Sequence, residues 1–279
     1  MMSANHRAAV ADFRIPILMY HEVTTADKIG ALSRRTQSSF IVTAPEFEKQ
    51  MKFLSDHAIR TIMLDDLIEA IESQGGLRLP PNAVVITFDD GFAGNYEHAF
   101  PTLMAYGLRA TFFVIVNKIG SNDMMCWDQL KEISQAGMSI QSHTMSHTLL
   151  GQLSRDKVQY ELEASKHRIE EKLGSGVKYI SFPMGSYKRS YAEIGWQVGY
   201  RGGCTSQIGF AKRNSSSFFM PRIVVDGKYD LSQFSRLIDH KSKMVESLAL
   251  RQKLKGVVRH TAGERLYNYI YNRVYAIET

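Results

Sequence analysis

Cysteine is scarce in this chain of 279 residues, which has two, and no long hydrophobic run is present. Cys126 and Cys204 lie far apart in the sequence, without a CxxC spacing or a cluster of partner residues. A disulfide framework or a cysteine metal site is normally marked by such a pattern. We therefore expect both cysteines to be reduced thiols.

The beginning of the chain lacks the features of a targeting segment. Charged and polar residues, among them His6, Arg7 and Asp12, are spread through the first part of the sequence. The apolar stretch at 15–20 is shorter than the core of a signal peptide or a membrane span. These features favour a cytoplasmic chain.

The positive charge is concentrated near the end of the sequence. The formal charge is +6, and residues 241–279 hold eight Lys or Arg against three Glu, a net +5 that leaves +1 for the first 240 residues. This distribution argues against a basic catalytic face and predicts a division into residues 1–240 and a basic tail at 241–279. Without an aromatic and basic reader motif, no nucleic-acid partner is expected.

The tail has the pattern of an amphipathic helix. Apolar residues recur at helical spacing, with tyrosines beside them: Leu266, Ile270, Val274 and Ile277, and Tyr267, Tyr271 and Tyr275. Such a helix could lie as a peripheral contact on an anionic membrane, at its inner face. It could equally pack against the rest of the protein with its charged face in solvent. Both interpretations stay open.

Short apolar runs alternate with helical patterns along the first 230 residues. The predicted strands lie at 15–20, 83–88, 110–116, 138–142, 177–182, 199–205 and 218–225. Strands separated by helices pair in parallel through crossover connections. The sequence therefore predicts an α/β fold, a distorted (β/α) barrel of about seven parallel strands that is either closed or incomplete.

Two motifs at the ends of predicted strands carry metal-hydrolase chemistry. The run TFDDG ends the strand at 83–88, and HTMSH follows the strand at 138–142. Asp90, His143 and His147 offer the three oxygen and nitrogen ligands of a catalytic zinc-like ion. Asp89 could then accept a proton from the attacking water. Alone, the first motif also fits a turn or a helix cap, and the second fits two ordinary histidines.

With these motifs the sequence resembles the NodB-homology polysaccharide deacetylases, carbohydrate esterase family four. Further runs resemble the branch related to poly-N-acetylglucosamine deacetylases: IPILMYHEV at 15–23, FPTL at 100–103, ATFFV at 110–114, WDQL at 127–130 and PRI at 221–223. The resemblance covers about residues 15–230.

The resemblance implies a metal-dependent hydrolase that removes N-acetyl groups from an amino sugar, in a glycan or a lipid- or nucleotide-linked precursor. Zinc is the usual ion in the family, with Asp89 as the base and Asp90, His143 and His147 as ligands. By motif position, the backbone N–H of Met184 stabilises the oxyanion.

The sequence departs from the family pattern at two points. Many members carry an arginine, which orients the base, where this chain has Ser181; Arg222 could replace it, or could be a barrel-closing or surface arginine. The late Leu-x-x-x-His motif that supplies the acid has no match. His21, at the end of the first strand, and His240 are the alternatives.

Substrate contacts are less well marked in the sequence. Trp127 and Tyr187 could stack on a sugar ring or pack in the core, and Pro183 ends a predicted strand beside Met184. Two other functions stay open: a hydrolase of another C–N amide, such as a sugar formamide, and an inactive module that holds a metal and binds a glycan. The retained Asp89 weighs against the second, because a binding module needs no base.

Overall fold

Short strands alternate with helices along the computed structural model, which describes residues 12–32, 38–73 and 77–255. The strands are β1 (Arg14–Ile15), β2 (Ile17–Tyr20), β3 (Glu22–Thr24), β4 (Ile41–Thr43), β5 (Arg60–Thr61), β6 (Ala83–Phe88), β7 (Thr111–Val114), β8 (Ser139–Ser142), β9 (Tyr179–Ser181), β10 (Gly202–Ile208), β11 (Ala211–Lys212) and β12 (Met220–Val224). The helices are α1 (Ile29–Leu32), α2 (Ala44–Asp56), α3 (Leu64–Glu72), α4 (Phe100–Ala105), α5 (Trp127–Gln135), α6 (Arg155–Leu173), α7 (Tyr191–Val198) and α8 (Leu231–Ile238).

Within the described residues, seven parallel strands close a barrel. Their order is β2, β6, β7, β8, β9, β10 and β12, and β12 returns to β2 through the pairs Ile223 with Leu18 and Val224 with Met19. Helices surround these strands. The predicted (β/α) barrel of parallel strands is confirmed. The prediction allowed a closed or an incomplete barrel, and the barrel is closed.

The barrel strands are buried on both faces. Every residue of β2 and β6 is buried, including Ile17, Val84 and Phe88. The barrel interior covers one face and the helices cover the other, so these strands read as continuous apolar runs rather than as alternating patterns. This is why β6 coincides with the prediction for 83–88.

The predicted strand at 15–20 is interrupted. It divides into β1 and β2 at Pro16, which has no N–H to donate to a strand ladder. β1 turns away from the barrel and pairs antiparallel with β11. The strands β3, β4 and β5 were not predicted, since two or three residues give no readable periodicity. β3 pairs with β4, and β5 pairs with β6.

A further helix covers residues 243–255 and packs on the barrel. Val245 is 1% exposed and belongs to the main hydrophobic core, and Glu246 forms an ion pair with Arg14 at 2.9 Å. The predicted boundary after residue 240 lies between α8 and this helix. The amphipathic repeat of Leu266 and its partners lies outside the described residues. In the part of the chain that the structure describes, no helix is long and apolar enough to cross a membrane.

Candidate metal centre and cleft

Three side chains at the carboxyl ends of barrel strands converge on one point. Asp90 follows β6, and His143 and His147 follow β8. The Oδ1 atom of Asp90 lies 3.5 Å from Nε2 of His143 and 3.4 Å from Nε2 of His147. One ligand atom from each residue falls within 4.8 Å of the others. The fold thus brings together the two motifs that the sequence separates by some fifty residues.

The donor set fits a divalent cation. Nδ1 of His143 lies 2.7 Å from the carbonyl oxygen of Ser181, so Nδ1 carries the proton and Nε2 presents its lone pair to the centre. Burial lowers the pKa of His143 and lowers that of His147 to about 4, so both rings are neutral, as ligands must be. Asp90 Oδ1 is buried without a hydrogen-bond partner, and burial raises the pKa of this carboxyl group. A cation would supply the missing counter-charge.

Unusual backbone conformations are concentrated around this centre. Of the six non-glycine residues with positive φ in the described chain, four lie here: Asp90 at 73°, Thr144 at 69°, His147 at 62° and Met184 at 52°. Positive φ is unfavourable for residues with a Cβ atom and persists where surrounding contacts enforce it. At Asp90 and His147 it turns a side chain toward the centre.

A buried glutamate on α6 fixes the loop that carries His147. One carboxylate oxygen of Glu161 accepts the N–H groups of Met145 (2.9 Å) and Ser146 (3.0 Å), and the other accepts the Ser146 hydroxyl (2.6 Å). The N–H of His147 donates to Oγ1 of Thr144 at 3.0 Å. Glu161 thereby stabilises the turn between His143 and His147.

Replacing Glu161 by alanine is expected to weaken the affinity of the candidate centre for an added divalent metal ion by about 10- to 100-fold, as loss of a residue that orients a ligand does. The turn would then relax and His147 would leave its position. Competition with a chromophoric chelator measures the affinity. Glu163→Ala, an exposed glutamate on the same helix, is the matched control. Equal affinity in the two variants would exclude this role for Glu161.

Asp89 pairs with Arg222, and its Oδ2 lies 3.9 Å from Nε2 of His143. Nη1 and Nη2 of Arg222 donate to Oδ1 and Oδ2 of Asp89 at 2.7 and 2.6 Å, and the exposed fractions are 1% for Arg222 and 3% for Asp89. Burial by itself raises the pKa of Asp89, but the Arg222 guanidinium outweighs it and holds that pKa below its ordinary value. The carboxylate is therefore ionised at neutral pH.

Ser181 explains how Arg222 reaches this position. Its small side chain stands where the family pattern has an arginine, and its Oγ donates to Asp89 at 3.0 Å and accepts from Nη2 of Arg222 at 2.8 Å. Arg222 comes from β12 and is also bonded to Thr205 and Thr87. The structure thus brings a guanidinium to Asp89 from a different strand.

His21 and His240 lie at opposite ends of the barrel. His21 follows β2 at the carboxyl end, lines the same cleft as Asp89, and stacks on Phe40 with ring centroids 4.3 Å apart. Its Nδ1 is buried without a hydrogen-bond partner, and burial lowers its pKa. His240 lines a cavity of about 300 Å³ with Pro16, where the strands begin. His240 follows α8 at that end and cannot reach the candidate centre.

The centre opens into a cleft of about 740 Å³. Besides the residues already described, its lining includes side chains that the sequence did not single out: Met19, Phe40, Phe92, Lys118, Ser121, Asn122, Asp123, Ser206, Val224 and Gln252. Four of them, Phe92, Ser121, Asn122 and Asp123, come from turns or loops, which have no periodicity that marks them in a sequence. Met184, whose side chain is 73% exposed, lies at the rim.

The structure places Trp127, Pro183 and Tyr187 in packing positions outside the cleft lining. Trp127 begins α5 and packs on the main core. Pro183 is buried in the turn that carries Met184. The ring of Tyr187 stacks on Phe219 at 4.5 Å, and its hydroxyl accepts from Gln207 at 2.9 Å. Of the two aromatic residues, Tyr187 therefore has one ring face covered by Phe219.

Comparison with known proteins identifies the family. The polysaccharide deacetylase family matches residues 77–203, a range that contains Asp89 and all three candidate ligands. The Bacillus subtilis protein YxkH, named for this family, is 31% identical over 226 residues, which cover 81% of this chain and 76% of YxkH. The chain belongs to the polysaccharide deacetylase family. The predicted resemblance is confirmed.

Two further relatives of this polysaccharide deacetylase extend the similarity. The poly-β-1,6-N-acetyl-D-glucosamine N-deacetylase of Staphylococcus aureus is 26% identical over 230 residues, covering 75% of this chain and 77% of the relative. The solved Streptococcus pyogenes deacetylase PplD, in complex with acetate, superposes with a TM-score of 0.73 at 27% identity, covering 82% of this chain and all of PplD. Membership makes this chain an amide hydrolase for N-acetylated sugars.

Proposed function

We propose that this polysaccharide deacetylase removes acetyl groups from N-acetylglucosamine units of a glycan, with zinc as its ion. The observation that carries the proposal is the juxtaposition of two different carboxylates at one cleft. Asp90 faces two neutral imidazoles, while Asp89 is paired with a guanidinium. When bound by Asp90, His143 and His147, the ion would act as a Lewis acid toward the amide carbonyl.

Asp89 is proposed as the base that takes a proton from the attacking water. An ionised carboxylate has about four lone-pair positions. Arg222 uses two of them and Ser181 a third. The fourth, on Oδ1, is left for a proton donor. Arg222 also fixes the orientation of the carboxylate, so no rearrangement is needed when water arrives.

His21 is proposed to deliver a proton to the leaving sugar nitrogen from its protonated form. Burial makes this the minor form at neutral pH, and a proton from solvent in the cleft restores it. The ring of His21 lies on the cleft surface beside Asp89 and Asp90, held by the stack on Phe40. The unpartnered Nδ1 supports this role, because an imidazole used structurally would normally have its nitrogen bonded. The backbone N–H of Met184, at the cleft rim, is proposed to stabilise the oxyanion.

An acetyl amino sugar within a glycan is the proposed substrate. The support is the named substrate of the Staphylococcus aureus relative and the volume of the cleft, about 740 Å³, which is large enough for a sugar unit. Zinc is proposed over other divalent ions because two imidazoles and one carboxylate form a donor set that zinc favours.

The proposal is tested by a screen for released acetate. The substrates are β-1,6- and β-1,4-linked N-acetylglucosamine oligomers and their N-formyl analogues, with protein that has been stripped of metal and reloaded with zinc. We expect acetate release that needs the metal and is restored by zinc. Formate release alone would instead indicate the sugar-formamide hydrolase. Oligomer binding with no release of either acid, in zinc-loaded protein, would contradict the proposed function.

Two predictions about the wider context remain predictions. The cytoplasmic location is one of them. The other is a peripheral membrane contact through the basic tail, whose amphipathic residues lie outside the described part of the chain.

A further inference from the structure

The barrel ladder is irregular between β10 and β12. Cys204 pairs with Met220 and Ile208 pairs with Arg222, so β10 has two more residues than β12 between these pairs. Extra residues of this kind leave the ladder and free their main-chain groups for other partners. Residues 205–208, which we call the β10 bulge, lie beside the candidate site.

The β10 bulge contacts both groups that flank the reacting centre. The carbonyl oxygen of Thr205 accepts from Nε of Arg222 at 3.0 Å, and Arg222 holds Asp89. The second contact is to the turn that carries Met184, where Ser206 lies against Gly185, the residue after Met184. A Cβ atom on Gly185 would come within 3.1 Å of the Ser206 Cβ, and φ at Gly185 is +65°. The bulge and the Met184 turn therefore fit closely.

A side chain on the helix at 243–255 also holds the bulge. Gln252, on the helix at 243–255, donates from Nε2 to the carbonyl oxygen of Ser206 at 2.8 Å and accepts at Oε1 from the N–H of Ile208 at 2.8 Å. The amide thus links two main-chain groups of the bulge to this helix. The helix is fixed in turn by Val245 in the core and by the Glu246–Arg14 ion pair.

We propose that Gln252 is a positioning residue for deacetylation, a role that rests on the proposed function. It acts through the β10 bulge on Arg222, and so on Asp89, and on the Met184 turn. None of the three metal ligands lies on β10 or touches Gln252. The helix at 243–255 thereby supports a site whose proposed catalytic and metal-binding residues all come from the barrel strands and the loops that follow them.

The variants Gln252→Ala and Gln252→Glu test the proposal, with Lys253→Ala on the same helix as the control. We expect kcat on an N-acetylglucosamine oligomer to fall about tenfold in Gln252→Ala, because small displacements of positioned groups have effects of this order. Bound zinc should stay unchanged. The glutamate keeps an acceptor for Ile208 but loses the donor to Ser206 at neutral pH, so it should restore the rate only in part.

Hydrogen exchange supplies a readout that does not depend on activity. In Gln252→Ala we expect faster exchange at 205–208 and at 183–187, and no change in the control. A wild-type kcat, or faster exchange confined to 205–208, would overturn the inference. If the unmodified protein released no acetate, the proposed function would fail, and exchange at 183–187 would still decide whether Gln252 fixes the Met184 turn.

Discussion

Arg222→Leu is expected to lower the free energy of unfolding by about 3–5 kcal/mol at neutral pH, the range found when one partner of a buried ion pair is removed. Arg222 and Asp89 are almost fully buried and share two hydrogen bonds. Without the guanidinium, Asp89 keeps its charge in a site with one remaining donor, Ser181. Urea unfolding of metal-free protein measures the change.

The pH dependence of this loss has a definite sign. In the unmodified protein the pKa of Asp89 is held below its ordinary value, so this carboxylate stabilises the fold above about pH 4 and loses that contribution below it. Without Arg222, burial dominates and raises the pKa of Asp89. The folded variant then binds a proton that the unfolded chain releases, so the variant should gain stability as the pH falls from 8 toward 5.

A double variant separates the pair from simple packing loss. In Asp89→Asn/Arg222→Leu the buried charge is gone, so part of the lost stability should return, and the pH dependence between 5 and 8 that Arg222→Leu adds to that of the unmodified protein should disappear. With the single variant Asp89→Asn added, the double variant completes a cycle that gives the coupling energy between the two side chains. If Arg222→Leu were as stable as the unmodified protein at both pH values, the buried pair would contribute nothing to the fold.

The strand ends were predictable from sequence because their signals are local. β6 is a continuous apolar run that stops at Asp89, and β8 stops at His143, so both motifs fall at the carboxyl edge of a parallel barrel. Closure of the barrel was not predictable, since it depends on β12 meeting β2, a contact between residues some two hundred positions apart. Periodicity says nothing about such a pairing.

Arg222 could be predicted as a candidate site residue from the sequence, whereas Gln252 could not. The missing family arginine prompted a search for a cation, and the PRI motif at 221–223 made Arg222 a candidate. No comparable signal marks Gln252, because its partners are main-chain groups of the β10 bulge, and a bulge leaves no trace in composition. Sequence could not decide between sugar stacking and core packing for Trp127 and Tyr187, since the same apolar ring suits both.

Replacing Asp90 and replacing Asp89 are expected to have different effects, the first on metal binding and the second on kcat alone. Asp90→Ala should lose bound zinc and acetate release together, because two imidazoles alone are a weak site for the ion. Asp89→Asn should keep its zinc and lose about 10²- to 10⁴-fold in kcat, the usual contribution of a positioned base. Metal analysis and acetate release on the same preparations measure both quantities. Asp156→Asn, an exposed aspartate at the start of α6, is the control.

The contrast between the variants is what identifies the roles. The carboxylates are neighbours in sequence, yet Asp90 Oδ1 faces the two imidazoles while Asp89 is bound by Arg222 and Ser181. A positive φ at Asp90 sends these two side chains in different directions. Zinc loss in both variants would mean that Asp89 is a ligand or supports one. Retained zinc with undiminished release in Asp89→Asn would mean that another group takes the proton, and His21, on the same cleft, would be the next base to replace.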